Sequence, residues 1–335
     1  MIQMVMINII KNDRRLIVGI GSALVDILIH EDDEFLEKTG AVKGGMTLVD
    51  NTWIESTLAM GSGTATTVAG GSARNTIVGV GKLGGQARFV GKCGTDQWGR
   101  QYVNDLGKQN VDPALLQSDS PTGRVLSIIT PDAQRTMFTY LGASAETRPE
   151  EITAVNFADA AVVHIEGYLL FNPDLIQAAL IAAKKAGALI SLDLASFTVV
   201  EQSLVLLKKL VANYVDILIA NEDEARAFSG QSDENLALRA LSEKANIAVL
   251  KVGPRGSLIS HAGETIHIHA IGDGAALDTT GAGDLWAAGF LFGLVNGHPL
   301  EKCGRLGSAC GYEVCQVIGA NIPNEGWNRI KKLLD

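Results

Sequence analysis

From about residue 160 onward, short apolar runs near 161–165, 188–193, 215–220 and 247–252 alternate with amphipathic stretches near 173–186, 201–212 and 233–245. Apolar runs of that length read as buried strands, and the longer stretches as helices with one apolar face. Strand and helix in alternation predict a parallel sheet covered on both faces. The N-terminal half keeps the rhythm less regularly. A first buried strand is predicted over 15–21, a short exposed acidic helix over 31–39, and a helix over 72–82. A strand near 87–91 and a helix across 99–109 follow. Further on, 265–271 reads as a strand, and the apolar run that begins at Leu285 as a buried helix.

Two segments break this pattern. Residues 124–130 and 135–140 flank Pro131-Asp132-Ala133-Gln134, a hairpin signal. With the segment near 27–53, the region 122–142 is expected to form antiparallel-type strands standing apart from the main sheet. No flexible linker, internal repeat or low-complexity tract divides the chain, so a single domain over 14–335 is expected, preceded by an extension over 1–13. The first ten residues are apolar, but no basic residues precede them and no small-residue cleavage site follows. A signal peptide is not expected, Met4 and Met6 are alternative starts, and the run is too short to span a bilayer.

The densest chemistry lies in Asp278-Thr279-Thr280-Gly281-Ala282-Gly283-Asp284, between a predicted strand and a predicted helix. A Gly-Ala-Gly turn at such a junction leaves backbone N–H groups unpaired at the positive end of the helix dipole, where small residues admit a phosphate. Asp284 adds a carboxylate in the first helical turn. Its ordinary role there is a helix cap. Beside an anion hole it can also act as the base that takes a proton from an attacking hydroxyl in phosphoryl transfer. In Ala69-Gly70-Gly71-Ser72-Ala73-Arg74-Asn75, adjacent glycines expose amides and Asn75 projects one turn into the next helix, which suits recognition of neighbouring hydroxyls as well as an ordinary turn.

Several other patterns carry less. Gly79-Val80-Gly81-Lys82-Leu83-Gly84 matches the dinucleotide fingerprint in letters, but it ends a helix instead of opening one after a strand. No Gly-x-x-x-x-Gly-Lys-Ser/Thr is present. His267 and His269 share one strand face without a third ligand, and Cys303 and Cys310 sit in an apolar helical stretch as core packing.

At 335 residues the chain can bury a sizeable core. Hydrophobic residues make up 47% and glycines number 37, which suits a glycine-punctuated α/β enzyme. The net charge of −9 and the absence of a basic run exclude nucleic acid as a partner. The four cysteines lack Cys-x-x-Cys spacing, and reduced thiols in a cytoplasmic protein account for them. No stretch is long and apolar enough for a membrane span, so no membrane is expected.

Taken in order, these motifs resemble the ribokinase-like (PfkB-type) carbohydrate kinase family over nearly the whole chain, from about residue 14 to residue 335. The resemblance implies an α/β fold of three layers, α/β/α, with a mostly parallel central sheet and a small β-sheet lid. It also implies an ATP-dependent kinase that phosphorylates a primary hydroxyl of a sugar or nucleoside. In that family the residue matching Asp284 is the catalytic base, and Gly281, Ala282 and Gly283 form the anion hole. Asp26, Gly70, Gly71 and Asn75 match the positions that hold acceptor hydroxyls. Asn221 and Glu224 match an element that organises Mg²⁺ through its waters, as oxygen donors at a strand end can do. Lys251, Gly253, Gly256 and Thr279 fall on the nucleotide side, and a K⁺ ion is held in some members by carbonyls near Asp278 and Thr280.

Within the family the adenosine-kinase-like subgroup looks most similar, through Arg135-Thr136-Met137, Glu166-Gly167-Tyr168 and Asp284-Leu285-Trp286-Ala287-Ala288-Gly289-Phe290. Arg135 matches an arginine that reaches toward the transferred phosphoryl group. Ser22 departs from the subgroup, in which adenosine kinases usually carry Asn; the shorter side chain bears on whether adenosine is the acceptor. A ribose- or fructose-type kinase of the same family is the alternative acceptor class, and a non-catalytic sugar or nucleotide sensor the alternative outside enzymes. Relatives occur as monomers and as homodimers, and both remain open.

Overall fold

β1 (Leu16–Ile20) starts the main sheet, and β2 (Leu24–His30) leaves it for a smaller one. α1 (Asp33–Lys38), β3 (Met46–Leu48), α2 (Asn51–Met60) and β4 (Thr66–Gly70) complete that excursion. α3 (Ser72–Leu83), β5 (Ala87–Gly94), α4 (Gln97–Lys108) and β6 (Asp112–Ser118) return to the main sheet before the hairpin of β7 (Thr122–Ile129) and β8 (Arg135–Gly142). The regular alternation then begins: β9 (Ala160–Glu166), α5 (Pro173–Lys185), β10 (Leu189–Asp193), α6 (Phe197–Tyr214) and β11 (Ile217–Asn221). α7 (Glu222–Ser229), α8 (Glu234–Ser242) and β12 (Ile247–Lys251) continue it. An edge hairpin, β13 (Ser257–His261) and β14 (Glu264–Ile268), leads to α9 (Ala282–Val295), α10 (Leu300–Cys315) and α11 (Asn324–Lys331). This computed structural model describes residues 13–61, 65–132, 134–272 and 274–334; the expected extension falls almost wholly outside the described residues.

Among the described residues the main sheet has nine strands in the order β14-β13-β12-β11-β10-β9-β1-β5-β6. All its pairings are parallel except those of β13, which turns the edge antiparallel. Parallel strands buried on both faces read as continuous apolar runs, and the side chains alternate between two cores. In β11, Ile217 and Ile219 join Ile77, Leu285 and Phe290 on one face, while Leu218 and Ala220 join Ile176, Leu180 and Leu207 on the other. Three layers result, helix on sheet on helix.

The misleading glycine fingerprint is explained by packing within the first of these cores. At Gly79 an added Cβ would lie 2.6 Å from the Ala288 Cβ and 2.9 Å from Leu285 Cδ1, so the glycine lets α3 and α9 approach closely.

The smaller sheet runs β3-β8-β7-β2-β4. It is wider than the expected 27–53 and 122–142, since it begins at Leu24 and includes β4. Its pairing is also mixed: β2 with β7 and β3 with β8 are parallel, whereas β2 with β4 and β7 with β8 are antiparallel. Only the β7–β8 pair is joined by a tight local turn that a sequence can announce. The other pairings close over long intervening segments, so their direction is set by the path of the chain. α1 and α2 cover the outer face, where Trp53 stacks on Phe138 with ring centroids 4.2 Å apart. The inner face looks back at the main sheet.

Candidate active site

Between the two sheets lies a cavity of about 550 Å³, at the carboxyl ends of the parallel strands. Open α/β sheets bind ligands there because the strand ends and the following helix N-termini converge on that edge. Four consecutive strands end in polar side chains on its wall: Glu166 from β9, Asp193 from β10, Asn221 from β11 and Lys251 from β12. The cavity gathers Ser22, Asp26, Gly71, Asn75 and Arg135 with Asn221, Glu224, Lys251, Thr279 and the turn Gly281-Ala282-Gly283-Asp284. Gly70, Gly253 and Gly256 are not on its wall. The Gly70 carbonyl accepts from the Tyr102 hydroxyl at 3.0 Å, and Gly253 and Gly256 shape the turn between β12 and β13.

Gly281 is the N-cap of α9 at φ 75°, a left-handed conformation, and an added Cβ would meet the Ala320 Cβ at 2.7 Å. Glycine is required on both counts. One expected donor is diverted: the Ala282 amide turns to the Thr279 carbonyl at 3.1 Å, closing the turn itself. The amides of Gly281, Gly283 and Asp284 have no acceptor among the described residues, so the helix end presents these three N–H groups to the cavity, as a site for an anion would.

Asp284 is tied to the opposite helix. Ser72 Oγ donates to its Oδ1 at 2.7 Å, Asn75 Nδ2 to its Oδ2 at 3.0 Å, and Thr76 Oγ1 to its backbone carbonyl at 3.1 Å. Burial pushes the carboxyl up to about 6, while the bonds from Asn75 and Ser72 pull it back. It therefore serves as no side-chain cap for its own helix. Below it, Glu166 accepts from the amides of Ser22 at 2.8 Å and Ala73 at 2.9 Å, stitching the exit of β1 to the start of α3. Burial raises Glu166 to about 7. On the lid, Asp26 is buried and raised by that burial, with Arg135 at 3.6 Å acting the other way. Arg135 also donates through Nε to Ser127 Oγ at 2.9 Å.

On the opposite side, Asn221 and Glu224 bond each other as a reciprocal capping box. Glu224 accepts from the Asn221 amide and side chain, both at 2.8 Å, and its own amide donates to Asn221 Oδ1 at 2.9 Å. Burial lifts Glu224 to about 7. A buried carboxylate on a cavity wall, next to a carboxamide oxygen, is a donor set that suits a divalent cation sharing its shell with phosphate oxygens and water. Among the described residues no cluster of three or more His, Cys, Asp or Glu could hold a metal alone. Asp278 is occupied, accepting from the Thr280 amide at 2.9 Å and hydroxyl at 2.7 Å in its own loop and from the Gly319 amide at 2.7 Å in the segment between α10 and α11.

Among the wall residues that escaped the sequence reading as site residues are Ser72, Glu166 and Asp193. The last two had a legible signal, a carboxylate directly after a buried run, at the edge where α/β sheets keep their sites. Ser72 had none, since only the packing of α3 on α9 brings it to Asp284.

A roofed α/β cleft with free amides at a helix N-terminus and a carboxylate in the same turn suits phosphoryl transfer to an alcohol, and comparison with known proteins places the chain in that class of kinases. The chain belongs to the pfkB family of carbohydrate kinases, whose pattern it matches over residues 33–327, and its fold is the ribokinase-like one. Solved structures agree. The adenosine kinase from Sinorhizobium meliloti is 34% identical and superposes with a TM-score of 0.89, covering 96% of this chain and 100% of that one. A probable sugar kinase from Rhizobium etli CFN 42 is 34% identical with a TM-score of 0.90, covering 95% and 98%. Among curated relatives, the 5-dehydro-2-deoxygluconokinase of Listeria monocytogenes serotype 4a is 32% identical over 257 residues, 72% of this chain and 78% of its own. Kinases of this family generally use ATP with Mg²⁺. No helix among the described residues is long and apolar enough to cross a membrane.

Proposed function

We propose that the protein transfers the γ-phosphoryl group of ATP to a primary hydroxyl of a ribose-containing nucleoside. The observation that carries this reading is the mixed lining of the acceptor chamber. Polar groups, Asp26, Asn75 and Asp284, share its wall with apolar lid side chains, Met46, Leu48, Val125, Met137 and Leu141. A ribose suits the first and a nucleobase the second, because a flat, weakly polar ring gains from leaving water while a free sugar has no such face. The similarity to an adenosine kinase supports the same choice.

In this mechanism Asp26 and the backbone at Gly71 hold the ribose hydroxyls, and Ser22 lies at the pocket edge. Asp284 accepts the proton of the attacking hydroxyl. Asn75 and Ser72 hold its two oxygens, so the carboxylate is oriented before the acceptor arrives. The amides of Gly281, Gly283 and Asp284 take the charge of the group in transit, and Arg135 reaches it from the lid. Mg²⁺, organised through Asn221 and Glu224, neutralises phosphate charge when bound. Positioning and charge stabilisation carry most of such a reaction. A K⁺ ion near Asp278 and Thr280 would rest on backbone carbonyls, since the Asp278 carboxylate is already bonded to Thr280 and Gly319.

The test is ADP release from ATP and Mg²⁺ across adenosine, other nucleosides, ribose, fructose and related sugars. Preference for a nucleoside over free ribose supports the reading, and adenosine turnover shows that Ser22 is tolerated. Turnover confined to free sugars overturns it in favour of the sugar-kinase alternative, which the similarity to 5-dehydro-2-deoxygluconokinase supports.

A further inference from the structure

Asp193 and Lys251 end strands that are separated by β11, and their side chains meet across it: Lys251 Nζ lies 2.9 Å from Asp193 Oδ2. The side chains are 14% and 8% exposed, respectively. Burying an ion pair seldom stabilises a fold more than apolar residues of the same volume would. Stability alone therefore gives no reason for a pair in this position.

The surroundings of the ammonium suggest one. An added Cβ at Gly283 would lie 2.9 Å from Lys251 Nζ, so the missing side chain of that glycine is what admits the ammonium beneath the anion-binding turn. The cavity wall carries five carboxylates, Asp26, Glu166, Asp193, Glu224 and Asp284, against two cations, Arg135 and Lys251. Arg135 sits on the lid, bound to Asp26 and Ser127. A polyphosphate entering this cleft finds on the main-sheet side one cation of the wall, and it lies under the amides that would hold the transferred group.

We propose that Lys251 is a catalytic residue, its ammonium stabilising the phosphoryl group in flight, and that Asp193 is the positioning residue that holds it there. The inference rests on the kinase reading and on the turn at Gly281–Gly283, not on which alcohol is phosphorylated. In the step, a bond forms from the acceptor oxygen to the γ-phosphorus, and the bond from that phosphorus to the oxygen bridging the β-phosphate breaks. The acceptor proton passes to Asp284 and the bridging oxygen leaves on ADP. Lys251 stays protonated throughout. It has three donors, keeps one on Asp193 and directs another to a phosphoryl oxygen. Burial works against its charge, and Asp193 and then Glu224 outweigh that, so the ammonium is held above its usual range.

The test compares Lys251→Met, Asp193→Asn and the double variant Lys251→Met/Asp193→Leu as full chains. Each is assayed with ATP, Mg²⁺ and whichever alcohol of the panel turns over fastest, free sugars included, so failure of the nucleoside assignment leaves the test intact. Lys251→Met is expected to lose about 10²- to 10³-fold in kcat, the cost of removing one donor to transition-state charge, with ADP affinity unchanged. The double variant leaves no buried charge unpaired and controls for folding. If it turns over at the wild-type rate, Lys251 is structural and the proposal fails; if it stays as slow as Lys251→Met, the proposal stands. Asp193→Asn reads the positioning role through a split between kcat and KM. With the ammonium no longer held at 2.9 Å by Asp193, kcat falls while KM for ATP is unchanged, and Asp193→Glu recovers part of the loss. An unchanged kcat in Asp193→Asn overturns the role given to Asp193.

Discussion

Asn75 donates through Nδ2 to Oδ2 of Asp284 at 3.0 Å, joining the first turns of α3 and α9 across 209 residues of chain. Ser72 engages the other oxygen at 2.7 Å. The asparagine that the sequence offers as an acceptor ligand thus spends its amide on the carboxylate, and orienting that group becomes the first thing α3 does for the site.

On the proposed mechanism, replacing Asp284 with Asn removes the proton acceptor while keeping shape and one hydrogen-bond acceptor. General-base catalysis contributes about 10²- to 10⁴-fold, so kcat is expected to fall by that factor. ADP binding, followed by calorimetry, should be unchanged. Normal turnover by Asp284→Asn would remove this residue from the mechanism.

The base must be ionised to accept a proton, so kcat/KM should rise with pH through an acid limb near 6, the value to which burial lifts Asp284. The bond from Asn75 favours the ionised form. Its loss in Asn75→Ala raises the pKa further, and the acid limb should shift to higher pH. A shift to lower pH would contradict the geometry.

Glu166 supplies a stability signature. Its folded pKa, raised by burial to about 7, lies above the ordinary value of 4.5. Between those values the folded state binds more protons than the unfolded one, so stability is full below about 4.5 and is lost as pH rises through about 7. Urea midpoints should therefore decline across this window, and the decline should be shallower in Glu166→Gln. That variant also leaves one of the Ser22 and Ala73 amides without an acceptor, costing about 1–3 kcal/mol at low pH.

Gly79 is a contact glycine, with no room for a side chain against Ala288 and Leu285. Gly79→Val should destabilise the fold by about 2–3 kcal/mol through overpacking, read as a lower urea midpoint at unchanged slope. An unchanged midpoint would mean that α3 and α9 can separate at little cost.

The α/β alternation after residue 160 was legible because a strand buried on both faces and a helix buried on one each leave a local trace in the order of apolar residues. The turn at Gly281–Gly283 was legible for the same reason: unpaired amides at a helix start follow from the backbone of a few adjacent residues. Even there one donor differs from the reading, since the Ala282 amide closes the turn on Thr279 and the Asp284 amide is free in its place. Asn221 and Glu224 were singled out only by resemblance to the family's element, and the capping box that joins them is a finding of the structure.

What depends on distant segments could not be read this way. Mixed pairing in the lid, the Glu166 carboxylate bridging Ser22 to Ala73, and the Lys251–Asp193 pair across β11 each join residues whose separation carries no local pattern. The amino-acid sequence determined the elements, the anion-binding turn and the carboxylate in it, because backbone geometry and burial period act over a few residues. Tertiary structure decided which side chains face one another in the cleft and how far burial shifts their pKa values, because both depend on which strand ends and helix starts the packing brings to one edge.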